Sequence, residues 1–123
     1  MQTRSSSGPD GCECLFCQIA NGELPSEVVY DDGDVVAFRD IAPQAPVHVL
    51  VIPRKHVACV DDLRDEPDLA ARLLLAAAHV ARMQGLGRDG YRLVINNGRH
   101  GAQTVGHLHV HVIGARQLSG MLG

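Results

Sequence analysis

Three histidines alternate with aliphatic residues in Gly106-His107-Leu108-His109-Val110-His111-Val112-Ile113. No other stretch constrains the chain as much. Successive side chains of a strand point to opposite faces. A strand over 107–113 puts His107, His109 and His111 on one face and turns Leu108, Val110 and Val112 to the core. A merely exposed face would more naturally carry Thr, Lys or Glu, because histidine has only modest strand preference. The row therefore points to chemistry, and two kinds fit. His-x-His on a strand can hold zinc through two nitrogens. Neutral imidazole is also a good nucleophile toward phosphorus, with an ordinary pKa close to neutrality.

What precedes the row bears on that choice. Asn96-Asn97-Gly98-Arg99-His100-Gly101-Ala102-Gln103-Thr104-Val105 reads as a loop. Gly98 and Gly101 allow close backbone approach, and Gln103 and Thr104 carry donors. A loop of this kind can cradle phosphate oxygens through its N–H groups.

The rest of the chain supplies the frame. Leu15, Phe16, Ile19 and Ala20 recur at helical spacing, and Asn21-Gly22 ends that short helix. Val28 to Tyr30 and Val35 to Asp40 read as strands around the turn Asp31-Asp32-Gly33-Asp34. Pro43 and Pro46 precede a third strand from His48 to Ile52, which Pro53 closes. A long helix is expected from Pro67 to Gln84, stopped by Gly85 and Gly87, with Leu69, Leu73, Ala76, Ala77 and Val80 as its buried stripe. Tyr91 to Asn96 is the fourth strand and His107 to Ile113 the fifth. Strands in pairs with one long and one short helix predict an α+β domain, its antiparallel sheet covered on one face. Residues 1–11, rich in Ser and Gly, read as a flexible tail ahead of one domain over 12–123.

Aromatic residues are only 3% of the chain, so the core must rest on Val, Leu, Ile and Ala. The net charge is −3 with no basic run, which argues against a nucleic-acid groove. No apolar run reaches the roughly 18 residues of a membrane span. The N-terminus lacks the apolar centre of a signal peptide, so a cytoplasmic location is expected. There Cys12, Cys14, Cys17 and Cys59 are expected as thiols or metal ligands rather than disulfides. Cys14-Leu15-Phe16-Cys17 is a Cys-x-x-Cys pair, open to zinc or to redox use, but no thioredoxin-like βαβ pattern follows it. Zinc needs two more ligands, and His56 after Pro53 is a candidate. Cys59 is expected in the core and His79 on the helix surface.

The segment from Gly101 to Val112 resembles the signature of the histidine-triad nucleotide-binding superfamily. Phe38-Arg39-Asp40-Ile41-Ala42-Pro43-Gln44-Ala45-Pro46-Val47-His48 and Val51-Ile52-Pro53-Arg54-Lys55-His56 resemble its Hint branch, and the similarity runs from about Cys14 to Gln117. The resemblance implies a five-stranded antiparallel sheet with two helices, a homodimer, and attack on the α-phosphate of a purine nucleotide of AMP or GMP type through a nucleotidyl-histidine. It makes His109 the nucleophile, with His48, His107 and His111 completing the histidine cluster. Asn96, Gln103 and Thr104 would contact phosphate, and Asp40 would accept from the ribose hydroxyls, although an Asp so placed also favours capping a turn. Phe16, Ile19, Phe38 and Ile41 would line the base pocket. Similarity to some bacterial members implies a structural zinc on Cys14, Cys17, His56 and His107, with no cofactor required for catalysis. Two departures stand out: Gly106 replaces a commonly bulky residue, and the tail after Gln117 lacks the Trp-Pro-Pro-Gly of the branch.

Overall fold

The computed structural model describes residues 14–122. The expected tail over 1–11 and Cys12 lie outside the described residues. The elements are α1 (Leu15–Ala20), β1 (Val28–Asp31), β2 (Val35–Arg39), β3 (Val47–Pro53), α2 (Pro67–Met83), β4 (Tyr91–Ile95) and β5 (Val110–Gly114), with a 3₁₀ turn over Val60–Leu63 that the sequence does not announce. Five strands form one antiparallel sheet in the order β1-β2-β3-β5-β4. The hairpin turn before β2 is built by carboxylates: Asp32 Oδ1 accepts from the N–H of Asp34 and of Val35, and Asp31 Oδ1 accepts from that of Gly33. Gly33 has φ +94°, which an L side chain would resist.

The sheet is covered on both faces over its central strands, not on one. On one face Val35, Ala37, Val49, Val51, Val110 and Val112 pack with Leu73, Ala76, Ala77, Val80 and Ala81 of α2. Leu69 is only partly buried at the margin. On the other, Val36, Phe38, Leu50 and Ile52 pack with Phe16 and Ala20 of α1. This explains the near-continuous apolar runs of β2 and β3, since strands covered on both sides have no polar alternation. The imidazoles lie on the α1 face, because Leu50 stands opposite His111 and Phe38 opposite Leu50.

Hydrogen-bonded pairing in β5 begins at Val110, three residues later than the periodicity predicts. Leu108 N donates instead to Val57 O at 2.7 Å, so His107 to His109 leave the ladder while keeping their alternation. Leu108 remains in the α2-facing core, and the rings of His107 and His109 face Phe16. Cys59 is half-buried rather than core; it is the N-cap residue of the 3₁₀ turn without a side-chain capping bond, and its Sγ donates to Asp62 Oδ2 at 3.6 Å. Among the described residues, no helix is long and apolar enough to cross a membrane.

Candidate active site and cysteine–imidazole cluster

His109 has a defined tautomer. Its Nδ1 lies 2.8 Å from the carbonyl oxygen of His107. A carbonyl only accepts, so Nδ1 carries the proton and Nε2 keeps its lone pair. The ring is buried and meets the Phe16 ring edge-on, with centroids 5.2 Å apart.

His48 and His111 are fixed by the same reasoning. Gln44 N donates to His48 Nδ1 at 3.0 Å, so the His48 proton sits on Nε2. That nitrogen lies 2.9 Å from His111 Nδ1, which accepts, leaving the proton of His111 on Nε2. Burial, then the imidazoles of His109 and His48, push His111 down to about 4. Burial also lowers His48, against the opposing charge of Asp40. Both rings are therefore neutral at neutral pH, and the 3.4 Å approach of Asp40 Oδ2 to His48 Nε2 is a charge–dipole contact rather than an ion pair.

His107 is turned to other work. Its Nε2 donates to Pro53 O at 2.9 Å, so the Nδ1 lone pair faces the sulfurs of Cys14 and Cys17 at 3.3 and 3.5 Å. His56 Nδ1 lies 3.3 Å from Cys17 Sγ. These four donor atoms all lie within 4.8 Å of one another. Tetrahedral zinc, with Zn–S of about 2.3 Å and Zn–N of about 2.0 Å, needs sulfur–nitrogen edges of about 3.5 Å, so the donor set fits. Burial, and then the bond and charge of Cys14, push the Cys17 thiol up to about 12. Burial holds His107 down at about 4.

The remaining expected residues fall into two groups. Phe16 and Phe38 meet edge-to-face at 5.4 Å with Ile19 beside them, whereas Ile41 is 99% exposed and stands apart from that cluster. Asp40 Oδ1 accepts from Ala42 N at 2.8 Å and so caps its turn, while Oδ2 faces His48. Asn96 Nδ2 donates to Gly101 O at 2.7 Å. Both amide hydrogens of Gln103 are taken, by Ala58 O at 2.7 Å and Val105 O at 3.0 Å, and its Oε1 accepts from Gly98 N. In this conformation Gln103 braces the loop rather than offering donors to a phosphate. Thr104 is exposed beside it, as are His100 and His79, the latter against the Tyr30 ring.

The main-chain groups that set the tautomers of His48, His107 and His109, namely Gln44 N, Pro53 O and His107 O, escape sequence reasoning because nearly any residue supplies them. Pro43 and Pro46, which flank Gln44, were the one available signal of a turn there.

The fold brings a buried imidazole row and a cysteine–imidazole cluster together on one face of the sheet. The HIT domain family model matches residues 21–118. The chain belongs to the HIT domain family. It is 46% identical over 111 residues to purine nucleoside phosphoramidase of Escherichia coli (strain K12), covering 89% of this chain and 93% of that protein. It is 46% identical over 110 residues to the 14 kDa zinc-binding protein of Brassica juncea, covering 87% and 96%. The crystal structure of a HIT family hydrolase from Legionella pneumophila Philadelphia 1 superposes with a TM-score of 0.84 at 48% identity, covering 87% of this chain and 96% of that one.

Proposed function

We propose that this HIT-domain enzyme hydrolyses purine nucleoside phosphoramidates of AMP or GMP type through a nucleotidyl adduct on Nε2 of His109. The observation that carries the reading is the bond from His109 Nδ1 to His107 O, which leaves a lone pair on the nitrogen away from the backbone. The name of the Escherichia coli relative supports the substrate class. In the first step Nε2 forms a bond to the α-phosphorus and the P–N bond breaks, the amine taking a proton from solvent. Water then attacks phosphorus, releases the nucleoside monophosphate and returns the imidazole. The Nε2–H of His111 and the N–H groups of the 97–105 loop stabilise charge on the non-bridging oxygens. Asp40 accepts from the ribose, and Phe16, Phe38 and Ile19 hold the base.

Cys14, Cys17, His56 and His107 are the residues that would hold zinc, and the ion, when bound, supplies a closed structural cross-link rather than an open coordination position. The name of the Brassica juncea relative supports that ion. Asp40, His48 and His111 also bring their donor atoms within 4.8 Å, which favours a second reading, a metal on the imidazoles themselves. The tautomers oppose it: His48 Nδ1 accepts from Gln44 N, so His48 Nε2 must keep its proton and has no lone pair to give.

The test is rapid quenching with a labelled adenosine phosphoramidate, followed by location of the adduct. His109→Ala should lose turnover by about 10³-fold or more while still binding AMP. Near-normal turnover in that variant would refute the mechanism, and activity that a chelator abolishes and zinc alone restores, with no adduct, would favour the second reading.

A further inference from the structure

The imidazole row and the Cys/His cluster share residues at two points. His107 belongs to both: Nδ1 faces Cys14 and Cys17, and its main-chain oxygen holds Nδ1 of His109. Phe16 makes the second link. It lies in α1 between the two cysteines, and its ring stands at 90° to His109 with centroids 5.2 Å apart, and 6.0 Å from His107. The reactive ring is thus held by the carbonyl of one ligand residue and by an aromatic edge whose helix starts at a second ligand and contains a third.

The α1 helix cannot supply this rigidity itself. It has six residues, well short of the roughly 12–15 at which isolated helices become even marginal. Its N-cap is the Cys14 sulfur, which accepts from Cys17 N at 3.4 Å. His107 has already left the β5 ladder, so it is anchored by its ring on one side and by the Leu108 N to Val57 O bond on the other.

We infer that the Cys14, Cys17, His56 and His107 cluster, holding its metal, positions the nucleophile, so that metal occupancy sets the rate of adduct formation more strongly than it sets nucleotide affinity, which it reaches only through Phe16 and Ile19 of α1. The inference rests on the hydrolase reading and on the metal set above. Its cause is orientation: tilting the His109 ring turns Nε2 off the line of attack, and small misplacements of a reacting group are costly. Cys14, Cys17 and His56 act as positioning residues through His107 and Phe16.

The experiment uses the full chain in zinc-loaded, chelator-stripped and cobalt-substituted forms. Stripping should slow adduct formation at least about 10-fold, while the Kd for AMP rises by a clearly smaller factor through Phe16 and Ile19 of α1. The adduct forms on the ring whose Nδ1 is held by the carbonyl of a ligand residue, so forming it on the cobalt form should shift the cobalt absorption bands through His107, and His109→Ala should abolish that shift. This spectroscopic arm needs only folded, loaded protein and decides the matter if the stripped chain unfolds. Equal adduct rates with and without metal, AMP affinity that falls in step with the rate, or cobalt bands indifferent to the adduct each overturn the coupling and leave the hydrolase reading standing. No adduct in the loaded protein overturns both.

Discussion

Nε2 of His48 stands 2.9 Å from Nδ1 of His111, and the proton between them belongs to His48. The pair thereby fixes which nitrogen of His111 is left to donate toward substrate. His48→Ala removes that donor and frees His111 to change tautomer. Turnover should fall about 10²-fold, the scale at which a positioned proton-bearing group acts, with AMP affinity little changed. Steady-state kinetics and equilibrium binding on one preparation check this, and unaltered kcat would show that the pairing is structural only.

The same two rings make stability depend on pH. His111 is pushed from an ordinary 6.5 down to about 4, and His48 is also lowered, so the folded state refuses protons that the unfolded chain accepts. Stability from these groups is complete above about 6.5, falls as pH drops below it, and stops falling near 4, where folded His111 takes its proton. Urea midpoints should decline over that window, and His111→Asn should flatten the decline. An unchanged slope in the variant would count against burial of a neutral imidazole.

Two adjacent loop positions should respond in opposite directions. A Cβ on Gly101 would sit 2.5 Å from Asn97 O and 2.8 Å from Asn97 N, both backbone atoms that cannot swing aside. Gly101→Ala should destabilise by about 1–3 kcal/mol and raise KM, because overpacking forces the backbone to move. Ala102 already sits at φ 61°, where a Cβ is strained. Ala102→Gly should be neutral to about 1 kcal/mol more stable, the relief being partly offset by the entropy of glycine. Thermal melts of the two variants give the comparison.

A homodimer is expected through α2 and β4. β4 is an edge strand, and Leu75, Met83, Tyr91 and Ile95 on these two elements are exposed. Light scattering at low micromolar concentration should return about twice the 13.2 kDa chain mass. Leu75→Glu with Ile95→Glu should bring it down to one chain, by placing charge on an apolar contact. A single-chain mass for the unmodified protein would sink the proposal.

Period-two alternation was enough to put the imidazoles on one face and Leu108, Val110 and Val112 on the other, since a strand has only two faces. Helical spacing likewise marked Leu73, Ala76, Ala77 and Val80, which α2 buries. The start of β5 was not legible, because Val57 O, from a distant loop, takes the N–H of Leu108 and ends the pairing early. Nor was the second covered face, since short α1 offers too little pattern to say where it docks. Residue types and spacing named Cys14, Cys17 and the histidines as chemical groups. Only the tertiary structure brought Cys17 to His56 and His107 across separations of 39 and 90 positions. It alone also decided which nitrogen of each imidazole holds a proton. For His48, His107 and His109 the assignments come from the N–H of Gln44 and the carbonyls of Pro53 and His107, and His48 then sets His111; nearly every residue type carries both main-chain groups, so no sequence pattern marks the one that a fold will aim at a histidine.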